Sequence, residues 1–270
     1  MHAMTGIASS LDGIALAYEV HGAGMPALVF VHGWSCDRSY WRNQLSHFAR
    51  WHKVVGLDLA GHGESGGGRH AWTISSFGRD VAAVVDHLEL DDVVLIGHSM
   101  GVDVVVEAAL ELTGRVRGLV LVDQYKSLGH PRTRDETRAL VAPFLENFAI
   151  TTQKLVRGMF VPSSPADLVE WIVDDMAGAP EDVALSALEE TWSNDGPILV
   201  SLPQVAAPMT AINSDKRPTD TDALESYGIR TLIMPGVGHF LMLENPDAFN
   251  SVLSDAMAGF TSSASALDSL

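Results

Sequence analysis

A single cysteine, a shortage of bases and the lack of any long apolar run set the first limits on this 270-residue chain. With Cys36 alone, no intrachain disulfide can form and no cysteine cluster can hold a metal, and one thiol suits a reducing compartment. Cys36 itself reads as a small buried packing residue. No apolar stretch approaches the roughly 18 residues of a membrane span, and Met1 to Ser10 lacks the basic start and apolar centre of a secretion signal. The expectation is a soluble, cytoplasmic protein. Only 17 bases face 34 acids, for a net charge of −17, and Lys53, Lys126, Lys154 and Lys216 are the lysines. A surface of that sign repels phosphate backbones and anionic membranes, so neither nucleic acid nor membrane is expected as a partner. The acids are spread along the chain with no acidic tail, as solubility alone requires. No H-E-x-x-H spacing and no dinucleotide fingerprint occur, so no metal and no organic cofactor are expected.

What is present is a foldable core. A hydrophobic content of 47% with 19% charged residues fits one large α/β domain. Short β-branched runs, Ile14 to Val20, Ala27 to Val31, Lys53 to Leu57, Val93 to Ile96, Leu119 to Val122, Met209 to Ile212 and Thr231 to Met234, alternate with helical patterns. Helices are predicted at about Tyr40 to Phe48, Ser75 to Leu88, Met100 to Leu112 and Pro246 to Ala258. Runs such as Val93-Val94-Leu95-Ile96 are apolar at every position, as strands buried on both faces must be. Between Gln124 and Pro203 strand signals stop, and Leu168, Trp171, Ile172 and Met176 recur at helical spacing between prolines. The predicted organisation is therefore a core over 1–123 and 204–262, a helical cap inserted over 124–203, and a frayed polar tail over 263–270.

Gly97-His98-Ser99-Met100-Gly101 has the form G-x-S-x-G, a weak signal until its context is read. A buried strand runs into it and a helix leaves it. Such a turn forces strained angles on Ser99, and the two flanking glycines remove side chains that would clash. Ser99 is thus the candidate nucleophile, displayed above the sheet. The Met100 N–H, at the helix N-terminus, can donate to a developing oxyanion. A second donor is expected after the strand Ala27 to Val31, where Gly33 lets the backbone turn back and nominates the Trp34 N–H. His32 and His62 read as structural. The base must arrive after the last strand, and Gly238-His239 does so.

These segments, His32-Gly33-Trp34, Asp58 to Ser65, Gly97 to Gly101 and Gly238-His239, resemble a capped member of the α/β-hydrolase superfamily from about Ile7 to Phe249. The resemblance implies a mostly parallel central sheet of about eight strands flanked by helices, and a serine esterase chemistry in two steps. His239 takes the proton as Ser99 attacks a carbonyl, and water then hydrolyses the acyl-enzyme. A small-molecule carboxylic ester or lactone is the expected substrate. A C–C bond hydrolase, amidase, thioesterase, perhydrolase or slow-turnover receptor would use the same residues. Serine at the elbow argues against the aspartate-dependent epoxide hydrolases and dehalogenases of this superfamily. The acid that orients His239 has two candidates. Asp215 follows Met209 to Ile212, where most relatives carry it, but the usual position itself is Arg217. Asp123 caps Leu119 to Val122, an alternative site in some members. A cap over the strand ends should enclose the ligand, which nominates Phe144, Phe148, Met159, Trp171 and Trp192 as pocket residues.

Overall fold

The computed structural model describes residues 3–129 and 131–261. The tail expected over 263–270 lies outside the described residues. Strands β1 (Met4–Ser9), β2 (Ala15–His21), β3 (Ala27–Val31), β4 (Val54–Leu57), β5 (Val93–His98), β6 (Val116–Val122), β7 (Met209–Ser214) and β8 (Ile229–Met234) form one sheet. Their order is β1-β2-β4-β3-β5-β6-β7-β8. β2 pairs antiparallel with β1 and β4, and all the remaining pairings are parallel. The helices are α1 (Arg42–Phe48), α2 (Ile74–His87), α3 (Met100–Glu111), α4 (Arg134–Glu146), α5 (Phe148–Arg157), α6 (Ala166–Ala177), α7 (Glu181–Ser193), α8 (Pro197–Ser201), α9 (Thr221–Ser226), α10 (Leu241–Glu244) and α11 (Pro246–Thr261). Among the described residues no helix is long and apolar enough to cross a membrane.

The central strands β3, β4 and β5 are buried at every position, the consequence of helices on both faces. α2 and α3 pack on each other, while α1 and α11 pack on each other and α11 lies against β6, β7 and β8. α2 starts where Thr73 and Ser76 exchange capping hydrogen bonds, and its apolar positions Phe77, Val81, Val84 and Val85 share the buried face. β1 has no counterpart in the sequence reading. Gly6 and Ser9 interrupt its alternation and Ile7 is exposed, so pairing with β2 rather than local pattern makes it a strand.

Between β6 and β7 the chain is helical, α4 through α8, in the stretch that showed helical periodicity and no strand signal. α4 pairs with α7 and α5 with α6, while α8 and α7 reach α3 and α2 of the core. Thr133 and Glu136 close a capping box at the start of α4. The turn after β4 is built on Asp58, fully buried, which accepts from the Arg38 N–H at 2.8 Å, the Glu64 N–H at 2.8 Å and the Arg38 guanidinium. A Cβ on Gly63 would stand 2.4 Å from that carboxylate. This turn sits at the carboxyl edge of the parallel strands, where ligands of open α/β sheets bind.

Candidate active site

Ser99 sits between the last residue of β5 and the first of α3, with φ 53° and ψ −124°. A non-glycine residue in that region is strained and is held there by its surroundings. The Ser99 N–H donates to Val122 O at 2.9 Å, and Ser99 O accepts from the Val102 N–H at 2.8 Å. The flanking glycines answer a packing need. A Cβ on Gly97 would lie 2.2 Å from Gly101 O, and one on Gly101 would lie 2.5 Å from His32 O. The loop after β3 is pressed against the same point, since a Cβ on Gly33 would stand 3.2 Å from Ser99 Cβ. Among the described residues the Trp34 and Met100 N–H groups donate to nothing, which leaves both available beside Ser99.

His239 follows β8 and is fixed through its backbone. Its N–H donates to Met159 O at 3.0 Å, and its carbonyl accepts from His98 Nε2 at 2.9 Å. Glu244 brackets it, accepting from the Gly238 N–H at 2.9 Å and the Phe240 N–H at 3.1 Å. Burial pushes His98 down to about 3, so its ring is neutral and carries on Nε2 the proton that it donates. His98, Met159 and Glu244 were not singled out from sequence, because a neutral buried histidine and a backbone carbonyl leave no pattern in it.

The His239 ring hydrogen-bonds through Nδ1 to Asp123 Oδ2 at 2.8 Å. Asp123 directly follows β6, with φ 51°, and is 4% exposed. Its Oδ1 accepts from Lys126 Nζ at 2.6 Å and the Ser214 N–H at 2.7 Å. Burial alone would raise this carboxyl, but the His239 hydrogen bond and the Lys126 ammonium outweigh it and hold it well below the usual carboxylate range. An ionised Asp123 therefore accepts the hydrogen bond from Nδ1–H, which keeps the proton on Nδ1 and leaves Nε2 as the acceptor nitrogen. Asp215 lies elsewhere: it is exposed and accepts from the Gly236 N–H at 2.9 Å. The two carboxylates that the sequence left as alternatives are thus separated by their partners.

Ser99, His239, Asp123 and Trp34 line one cavity of about 710 Å³. Neither the Ser99 hydroxyl nor His239 Nε2 has a hydrogen-bond partner among the described residues. Of the five residues expected in the pocket, Met159 and Trp192 line it, together with Leu155, Leu188 and Ile198. Phe144, Phe148 and Trp171 do not, which corrects that expectation. Phe144 and Phe148 stand edge-on behind the Trp34 ring at 6.0 and 6.1 Å, and Trp171 packs on Tyr40 at 4.9 Å beneath the Arg42 guanidinium. Helical spacing identifies an apolar face but not whether the core or a cavity covers it.

The other histidines of the region are buried and neutral. Burial lowers His32 to about 4 and His62 to about 3. His32 links two loops, Nδ1 donating to Gly33 O at 2.8 Å and Nε2 accepting from the Leu59 N–H at 3.0 Å. Cys36 is buried, and burial pushes its thiol up, away from the reactive thiolate. Among the described residues no three histidine, cysteine, aspartate or glutamate side chains converge as a metal site requires.

Comparison with known proteins agrees with this architecture. The chain is 26% identical over 92% of its length to 3-oxoadipate enol-lactonase 2 of Acinetobacter baylyi, 94% of which is covered. It is 26% identical over 90% of its length to a non-heme haloperoxidase of Rhodococcus erythropolis, 95% of which is covered. The fold superposes on an esterase from Exiguobacterium antarcticum with a TM-score of 0.82 at 19% identity, covering 93% of this chain and 98% of that one. The sequence model of the alpha/beta hydrolase fold matches residues 26–195, and the chain belongs to that family.

Proposed function

We propose that the protein is a serine hydrolase of the carboxylesterase type, cleaving carboxylic esters or lactones through an acyl-enzyme on Ser99. The observation that carries this reading is the hydrogen bond from His239 Nδ1 to Asp123 inside the cavity that Ser99 also lines. In this reading Asp123 is the orienting acid and Asp215 a turn residue. His239 Nε2 removes the Ser99 proton, the Ser99 oxygen attacks the carbonyl carbon, and the Trp34 and Met100 N–H groups stabilise the oxyanion. His239 returns the proton to the leaving alcohol, then activates water against the ester bond to Ser99. The absence of a serine-to-histidine hydrogen bond is no objection, since catalytic contacts tighten in the substrate complex. The helices over 124–203 act as the cap, bringing Met159 and Trp192 over the site, and the described residues of 1–123 and 204–262 form the core.

The Rhodococcus relative's description favours a second reading, perhydrolysis, in which hydrogen peroxide replaces water and releases a peracid from the same acyl-enzyme. The test is Ser99→Ala, assayed on short p-nitrophenyl esters with and without peroxide and labelled with a fluorophosphonate. Loss of a nucleophile of this kind costs about 10⁴-fold or more. Steady multiple turnovers by the wild type, absent in the variant, support the proposal. Retained turnover in the folded variant, or a single stoichiometric burst in the wild type, overturns it.

A further inference from the structure

The cavity reverses the charge of the molecule that contains it. The chain has 34 acids and 17 bases. Yet among the described residues the cavity wall carries five lysines and arginines, Lys126, Arg132, Lys154, Lys216 and Arg217, against three acids, Asp103, Asp123 and Asp195. Three of the four lysines of the chain are among them. An acidic protein gains nothing in solubility from gathering its scarce cations around one concavity, and like charges crowded at a site cost energy unless an anion joins them.

The acids on the wall are already matched. Asp123 is held by Lys126 and His239. Asp195 pairs with Arg132 at 2.5 Å. Asp103 accepts from the Tyr125 hydroxyl at 2.6 Å, and burial favours its neutral form. What remains is cationic. Lys216 Nζ makes one hydrogen bond, to the Phe160 carbonyl at 3.0 Å, and no ion pair among the described residues. The side chains of Lys154, on α5, and Arg217, in the segment after β7, make no hydrogen bond or ion pair among the described residues, and both residues line the cavity.

We infer that the substrate carries a carboxylate remote from the scissile carbonyl, bound by Lys154 and Arg217 with Lys216 beside them. The inference rests on the hydrolase reading and narrows it to carboxylate-bearing esters and lactones. Arginine presents a planar fork that matches a carboxylate, and lysine adds a point charge. Because these side chains are exposed, solvent and salt screen them, and the selectivity must weaken with ionic strength.

The experiment uses two matched pairs: mono-p-nitrophenyl glutarate with its methyl ester, and 4-acetoxybenzoate with its methyl ester. The anion lies on the acyl side in the first pair and on the alcohol side in the second. The ratio of kcat/KM, acid over neutral ester, is measured for wild type and Lys154→Gln/Arg217→Gln between about 50 and about 500 mM salt. Glutarate binding by calorimetry gives a readout independent of turnover. In at least one pair the wild-type ratio should exceed tenfold, falling at least fivefold with salt and at least fivefold in the double variant, with weakened glutarate binding. Ratios near one in both pairs, or a ratio unchanged by the substitutions, overturn the inference. Turnover of the neutral esters reports on the hydrolase reading alone. If neutral esters react and acids are not preferred, only the present inference falls; if no ester reacts, both do.

Discussion

Replacing Asp123 by asparagine separates the orienting role from a turn-capping one. The carboxylate is 4% exposed and carries three contacts, with His239 Nδ1 at 2.8 Å, Lys126 Nζ at 2.6 Å and the Ser214 N–H at 2.7 Å. An asparagine retains the shape but loses the charge, and its amide can turn an N–H toward Nδ1, which moves the imidazole proton to Nε2 and disables the base. The attraction between a carboxylate and the imidazolium formed during attack is about 4 kcal/mol at 4 Å and an effective dielectric of 20, or about 10³ in rate. The wrong tautomer adds to this, and the serine-protease precedent for the same substitution is about 10⁴. The expected result is a kcat about 10³- to 10⁴-fold lower with KM little changed. Lys126 loses its counter-charge, so stability should also fall by about 1–3 kcal/mol, which thermal unfolding measures separately from rate. Asp215→Asn, which touches one N–H on an exposed turn, should stay within about threefold of wild type. A folded Asp123→Asn that keeps kcat within tenfold, or an Asp215→Asn that matches its loss, would refute the reasoning.

Two further outcomes follow from the cavity wall. Met159→Ala and Trp192→Ala should shift the preference among p-nitrophenyl esters of increasing acyl length, whereas Phe148→Ala, buried behind Trp34, should cost about 3–5 kcal/mol in chemical denaturation. Asp103 is raised by burial to about 7 from an ordinary 3.8. The native state therefore holds a proton that the unfolded chain releases, and this contribution is complete below the ordinary value and falls as pH rises to about 7. Asp103→Asn removes the dependence. The stability difference, variant minus wild type, should grow by up to about 1.4 kcal/mol per pH unit across that window and flatten above it; a difference independent of pH would show that Asp103 is ionised throughout.

Much of this molecule is written locally. Apolar runs such as Val93 to Ile96 specify buried strands, and a G-x-S-x-G between a strand and a helix specifies a tight turn, because both depend on neighbouring residues. The arrival of His239 after the last strand follows from chain order in this topology. Tertiary structure decided the rest. Two aspartates at the ends of adjacent strands look alike in sequence, and only the twist and register that bring β6 and β7 together show that Asp123 reaches His239 while Asp215 does not. Phe144, Phe148 and Trp171 share helical spacing with true cavity residues, and the packing partner across each face separates them. β1 exists through pairing with β2, and the cationic wall assembles Lys126, Arg132, Lys154, Lys216 and Arg217 from segments up to 91 positions apart. Contacts within a helical turn or along a strand are encoded by spacing. Contacts between elements depend on how the whole chain packs, and they decide which groups meet in the cavity.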